Sequence, residues 1–217
     1  MAFVDKRRVK NYRRSYYNLF SRFYDRFVAL HASDAQHIAR RYLAELVPIN
    51  EGERVLDLCT GTGSLLPYLC RKVGGDGSVV GVDFSRGMLA VNRRKASCFG
   101  NIHLVEAEAA ALPFIDGSFD AVTCSHAFYE LKGKTQGQAL REVLRVLKPG
   151  KAFLMMEHDI PANSLVRALF YLRLLSMGAK RAFAILKHES SLLGSYFRLV
   201  ERVASPSGRS KILICWK

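Results

Sequence analysis

The sequence predicts an α/β fold, a mostly parallel sheet with helices on both faces and a C-terminal antiparallel hairpin. Three observations predict it. Short apolar runs bounded by turn residues alternate with stretches of helical periodicity from residue 54 onward. Strand, helix, strand, helix in that order selects parallel strands joined by right-handed crossovers, with helices covering both faces. The chain then ends on two strand-like runs around Ser205-Pro206-Ser207-Gly208, which reads as a hairpin.

Taken in order, residues 11–47 read as helical, with Tyr16, Phe20, Phe23 and Phe27 at three- and four-residue spacing. RVLDL (54–58), SVVGVD (78–83), NIHLVEA (101–107), FDAVTCS (119–125) and KAFLMMEH (151–158) read as buried strands, being short and apolar. Helical stretches fall at 64–73, 85–98 and 135–147, the last halted by Lys148-Pro149-Gly150. Residues 162–187 read as a basic amphipathic helix or a pair of helices. YFRLVERVA (196–204) and SKILICWK (210–217) supply the hairpin.

With 217 residues and no repeat, low-complexity tract or long Pro/Gly-rich linker, the chain fits one domain able to bury its own core. Cys59, Cys70, Cys98, Cys124 and Cys215 are odd in number, scattered and without a C-x-x-C pair. Neither a disulfide framework nor a metal site is expected, and a reducing cytoplasm is the natural compartment. MAFVDKRRVK leads into no apolar signal region, and no run reaches the roughly 18 apolar residues of a membrane span. A soluble or peripheral protein is the expectation.

The net charge of +14 is unevenly placed. Residues 1–50 carry 10 basic and 4 acidic side chains, residues 51–150 carry 12 and 11, and residues 151–217 carry 11 and 4. Basic ends around a near-neutral middle suggest flanking segments that face something anionic, or simply a solvated basic surface.

The strongest local signal is VLDLCTGTGSLLPYL (55–69), a strand running into a Gly-x-Gly loop and then a helix. Gly61 and Gly63 let the backbone pass close to a ligand, where any Cβ would occupy the ligand's space. The dinucleotide fingerprint would place a third glycine where Leu66 stands, which argues against NAD and FAD. Twenty residues beyond Gly63, Asp83 ends the next strand, placed either to accept from both hydroxyls of a ribose or to cap the following helix. Glu108 follows the third strand, as a partner for an adenine amino group or as a solvated loop carboxylate.

The ordered set VLDLCTGTG, VVGVDFSRGML, EAEAAALPF, FDAVTCSHAFYEL and LREVLRVLKPGKAFLMME resembles the class I methyltransferases, particularly the branch with the ubiquinone/menaquinone-biosynthesis C-methyltransferases. The likeness covers residues 11–158 and implies a Rossmann-like methyltransferase fold with S-adenosylmethionine as cofactor. It further implies that Asp57, Gly61 and Gly63 surround the methionine moiety, with Cys59 and Thr60 in the same loop. Asp83 then takes the ribose, Phe84 and Met88 the adenine ring, and Glu108 with Ala109 its amino group. Ser125 and His126 stand beside the sulfonium and the acceptor. YYNLFSRFYD (16–25) is similar to the branch's tyrosine-containing helix that folds over the cofactor, which implies Tyr17 and Tyr24 at cofactor or acceptor, with packing of an aromatic helix face as the alternative for both. Glu108 departs from the usual Asp, and Cys59 and Thr60 from small residues. On this reading 1–50 form a helical lid, 51–158 the cofactor-binding core, and 159–217 a basic helical segment with the final hairpin.

A methyl transfer from a sulfonium needs no enzyme nucleophile, only alignment and, for a protonated acceptor, a base. His126 is the first candidate base, with a structural strand-end histidine as the alternative, and His158 beside Asp159 is the second. Tyr129 is a candidate wall of the acceptor site. The acceptor class is small or lipid-like, a quinone precursor or a phospholipid amine. SLVRALFYLRLLSMGAKRAFAILKH (164–188) gathers Leu165, Leu169, Leu172, Leu175 and Phe183 with Arg167, Arg173, Lys180, Arg181 and Lys187, suiting an anionic membrane surface or a cover over the acceptor pocket. An RNA methyltransferase and a non-catalytic cofactor-binding protein are the alternatives. Ser125-His126-Ala127-Phe128 lacks the Asn/Asp-Pro-Pro-aromatic pattern of base-amino methylation, so a nucleic-acid partner is disfavoured.

Overall fold

The computed structural model describes residues 6–31, 38–131, 133–160, 163–176, 182–206 and 208–217. Helices α1 (Lys6–His31) and α2 (Ile38–Leu46) precede β1 (Arg54–Leu58). Then come α3 (Leu66–Val73), β2 (Ser78–Asp83), α4 (Arg86–Ala96), β3 (Ile102–Glu106) and β4 (Phe119–Ser125). A 3₁₀ turn at Phe128–Glu130 leads to α5 (Lys134–Val146) and β5 (Leu147–His158). The chain closes with α6 (Ser164–Ser176), α7 (Ala182–Gly194), β6 (Leu199–Ala204) and β7 (Ser210–Trp216).

The sheet order is β3-β2-β1-β4-β5-β7-β6. The first five strands pair in parallel, and β7 runs antiparallel between β5 and β6. The expected mostly parallel sheet with a C-terminal antiparallel hairpin is therefore present. From β1 the chain works outward to β3, then returns to place β4 on β1's other side. This reversal opens a crevice at the strands' carboxyl ends, where ligands of such sheets bind.

Successive residues of a strand point to opposite faces, and here both faces are buried. Leu56, Val80, Val122, Phe153 and Leu213 pack on one side with Leu140 and Val143 of α5 and Leu193 of α7. Val55, Val79, Ala121, Leu154 and Ile212 pack on the other with Leu43 of α2 and Leu66 and Leu69 of α3. Burial on this double scale, at roughly 25 cal/mol per Å² of apolar surface, holds the sheet edge rigid under the site.

Three expectations are refined. Lys148-Pro149-Gly150 ends α5 but does not separate it from the strand. β5 begins at Leu147, and the segment bulges where the register slips between Phe119↔Leu147 and Ala121↔Ala152, with Gly150 at φ 71°. The 11–47 stretch is two helices, and the 162–187 stretch is also a pair. The apolar periodicity of 16–27 marks the packed face of α1 only in part: Tyr16 and Phe23 are exposed, while Asn18 and Asp25, together with Tyr17, contact the rest of the fold. The side chain of Phe27 lies outside the described residues.

Candidate active site at the carboxyl edge

Five strand ends bring the predicted residues to one edge. Asp57 is the next-to-last residue of β1 with Cys59 and Thr60 just beyond the strand, Asp83 ends β2, Glu106 ends β3, Ser125 ends β4 with His126 next, and His158 ends β5. Cys59 sits at φ 54° and His126 at φ 51°, the left-handed region that costs side-chain-bearing residues energy and marks sharply turning strand ends.

Asp83 ties two neighbours together. Its Oδ2 accepts from the Gly61 N–H at 3.0 Å, and its Oδ1 from the Ser85 N–H at 2.9 Å. The N-cap of α4 is Ser85, whose hydroxyl accepts from the Met88 N–H at 3.2 Å, so Asp83 itself is not the cap. Asp57 is buried and accepts from the Thr123 hydroxyl at 2.8 Å. Burial pushes both carboxyls up to about 6, partly offset by the hydrogen bond from Thr123 at Asp57 and by those from Ser85 and Gly61 at Asp83.

The two loop glycines have different reasons. At Gly61, with φ 55°, an added Cβ would meet nothing within 4 Å, so the backbone borders open space. At Gly63, with φ 78°, a Cβ would lie 2.1 Å from Asn92 Oδ1. The reason at Gly63 is thus packing against the buried amide of α4, which corrects the expectation that ligand space explains both.

Helix α1 lies over this edge. Asn18 Oδ1 accepts from the Ser85 hydroxyl at 2.8 Å and the Gly87 N–H at 2.9 Å, satisfying groups at the start of α4. Asp25 accepts from the Thr62 hydroxyl at 2.7 Å and pairs with Lys95 at 2.7 Å. Tyr17 packs edge-on to Phe84 with centroids 5.5 Å apart, and its hydroxyl donates to Glu130. Burial beside Glu130 raises the Tyr17 hydroxyl's pKa far above the usual phenol range. Arg13 stands over the Phe84 ring at 5.6 Å, and Arg14 pairs with Glu108 at 3.6 Å and Glu106 at 3.9 Å. Glu108 is therefore ion-paired rather than a lone solvated carboxylate. Ala109 and Met88 are buried beside these groups, and Tyr24 is partly buried on α1 with its ring edge-on to Phe20.

The three acceptor-side candidates also meet. The His126 and His158 rings have centroids 4.5 Å apart, and Tyr129 stands 5.8 Å from His158. His126 Nδ1 is sealed and without a hydrogen-bond partner, while Nε2 lies 3.5 Å from the Ser210 hydroxyl. Burial first, then His158 and the Arg40 guanidinium, hold the His126 pKa well below the ordinary value, so the ring is neutral at pH 7. Arg40, buried on α2, was not legible from sequence, and neither were Asn18, Asp25, Asn92 and Glu130. Only Ser85, just ahead of a helical run, carried a capping signal that was there to be read.

The family model described as the ubiE/COQ5 methyltransferase family matches residues 4–178. The chain belongs to that family. Among curated members of the ubiE/COQ5 type, it is 38% identical over 146 residues to the ubiquinone/menaquinone biosynthesis C-methyltransferase UbiE of Pseudomonas paraeruginosa, covering 66% of this chain and 56% of that one. It is 34% identical over 149 residues to the demethylmenaquinone methyltransferase of Staphylococcus epidermidis, covering 69% of this chain and 61% of that one. The chain thus spans a little over half the length of these relatives. A SAM-dependent methyltransferase structure from Aquifex aeolicus matches with a TM-score of 0.64 at 20% identity, covering 88% of this chain and 97% of that one. At that identity the likeness speaks to the fold.

The cofactor that goes with the ubiE/COQ5 family is S-adenosylmethionine. The residues present fit it. Open space borders Gly61, and the buried carboxyls of Asp57 and Asp83 stand at the same strand edge, a setting that suits a cofactor with net positive charge at neutral pH. No group of three or more metal-ligating side chains stands together among the described residues.

Proposed function

We propose that this ubiE/COQ5-family chain transfers a methyl group from S-adenosylmethionine to a small or lipid-like acceptor of the quinone-precursor type. The observation that carries the reading is a juxtaposition: β1, with Asp57 and the Gly61 loop at its end, lies between β2, which ends in Asp83, and β4, whose end bears His126 against His158 and Tyr129. The names of its relatives point to quinone biosynthesis.

When bound, the cofactor supplies the methyl group and the sulfonium leaving group of an in-line displacement. The chain's part is to hold and align. Asp83 would hold the ribose and Phe84, Met88, Glu108 and Ala109 the adenine. Asp57, Cys59, Thr60, Gly61 and Gly63 would hold the methionine end, with Ser125 at the reacting end and Tyr17 closing from above. Helix α1 covers the edge and excludes water, while Tyr129 and His158 wall the acceptor. His126, neutral at pH 7, would take the proton that a hydroxyl-bearing acceptor ring loses.

The acceptor's lipid character accords with the surface. Leu165, Leu169 and Leu172 stand at i, i+4 and i+7 on α6 and are 71%, 60% and 65% exposed, an apolar stripe suited to an anionic membrane interface. Leu175, Phe183, Arg173, Lys180, Arg181 and Lys187 lie outside the described side chains. No described helix is long and apolar enough to cross a membrane. Incubation with methyl-labelled cofactor and a lipid extract tests the proposal. Label should pass to an organic-soluble product; absence of transfer to any extract fraction would overturn the reading.

A further inference from the structure

We propose that Glu157 is a positioning residue, whose buried carboxyl anchors the Phe128–Glu130 turn and thereby aims Tyr129 at the acceptor and Glu130 at the α1 lid. The inference rests on the methyl-transfer reading for what the turn is used for.

The turn begins without a cap of its own. Its N-cap residue is Ala127, which has no side-chain oxygen to offer the first free N–H groups. Glu157, near the end of β5 and fully buried, supplies one from about thirty residues away. Its Oε1 accepts from the Phe128 N–H at 2.8 Å and the Tyr129 N–H at 3.4 Å.

The surroundings decide the form in which it does so. Glu157 Oε2 is buried with no hydrogen-bond partner. Lys211 lies directly opposite Glu157 in the β5–β7 pair, yet its ammonium is engaged elsewhere: it pairs with Glu189 of α7 and donates to the Leu186 carbonyl at 3.0 Å. Of the two buried carboxyls, Glu189 holds the buried lysine and Glu157 does not. Burial and the neighbouring Glu189 push the Glu157 carboxyl well above the usual range. These surroundings favour the neutral acid, a form that accepts through one oxygen while its proton sits on the other.

Both ends of the site hang on that turn. Tyr129 stands against His158, which in turn faces His126, and Glu130 receives the Tyr17 hydroxyl with Arg13 at 3.9 Å. Glutamine reproduces a neutral carboxyl's shape and accepting oxygen; alanine and methionine do not.

The test measures amide hydrogen exchange across residues 126–131 in the full chain and in Glu157→Gln, Glu157→Ala and Glu157→Met, with steady-state kinetics beside it. Exchange at Phe128 and Tyr129 should speed about tenfold in the alanine and methionine variants, the change expected for one lost hydrogen bond, and stay near wild type in Glu157→Gln. The acceptor KM should rise in the same variants and recover in the glutamine one. Methionine keeps the core filled should alanine fail to fold. Unchanged protection in Glu157→Met, or loss of protection in Glu157→Gln equal to it, overturns the anchor. Exchange needs no acceptor, so a wild-type chain that transfers no methyl group sinks the methyl-transfer reading without touching this result.

Discussion

Asp57 and Asp83 show how single residues set the site's pH response. Each carboxyl titrates near 6 in the folded, ligand-free chain instead of near 3.8, because burial penalises its charge. The folded state therefore binds these protons more tightly than the unfolded one. The stability this contributes is fully present below about pH 3.8 and is lost as pH rises through 6. A cationic ligand favours the charged forms and reverses the penalty. Cofactor affinity should consequently be full at pH 7.5 and weaken as pH falls through 6, by up to about tenfold per unit for each carboxyl that must give up a proton. Titration of S-adenosylmethionine, which carries the net positive charge, from pH 7.5 to 5 checks this, and a flat profile would contradict it. His126 makes a second prediction at this scale. His126→Ala should slow turnover by about 10²- to 10⁴-fold, the range of a general base, with cofactor affinity within about twofold. Equal loss of cofactor binding would mark the ring as structural.

At the scale of elements, α1 is the part whose contacts the sequence concealed. An amphipathic pattern predicts that the apolar face packs, yet Tyr16, Leu19 and Phe23 are exposed, and beside the Tyr17–Phe84 contact the docking rests on Asn18, Asp25 and Arg14. The reason is what lies beneath: the start of α4 and the glycine loop present N–H and hydroxyl donors, which polar side chains satisfy and apolar ones do not. Strands and covering helices were legible because double-sided burial writes itself as uninterrupted apolar runs. The Asn92–Gly63 packing was not, since it joins an internal helical amide to a loop about thirty residues earlier. Gly87 tests the docking of α1. A Cβ there would lie 2.6 Å from the Asn18 Cα and carbonyl oxygen, both backbone. Gly87→Ala should push α1 off the edge, leaving far-ultraviolet circular dichroism near wild type while the cofactor dissociates faster in stopped-flow exchange. An unchanged dissociation rate would mean that α1 does not gate the site.

Across the whole molecule, charge and apolar exposure point the same way. Both ends of the sequence are basic, and α6 carries its exposed leucine stripe within the basic C-terminal third. Each cation near an anionic surface adds about 1 kcal/mol, so several suffice for reversible docking. Co-sedimentation should require anionic vesicles, weaken with salt, and fall in a Leu165→Ser, Leu169→Ser, Leu172→Ser variant. Absence of binding at low salt would favour an acceptor met in solution. The measurement nearest the central claim is calorimetric titration of S-adenosylhomocysteine into the wild-type chain and into Asp83→Asn, which keeps the side chain's shape and removes its charge. We expect one micromolar site in the wild type, weakened in the variant by about 10- to 150-fold, equivalent to about 1.5–3 kcal/mol for hydrogen bonds to a charged group. No binding by the wild type, or equal affinity in both proteins, would contradict the account.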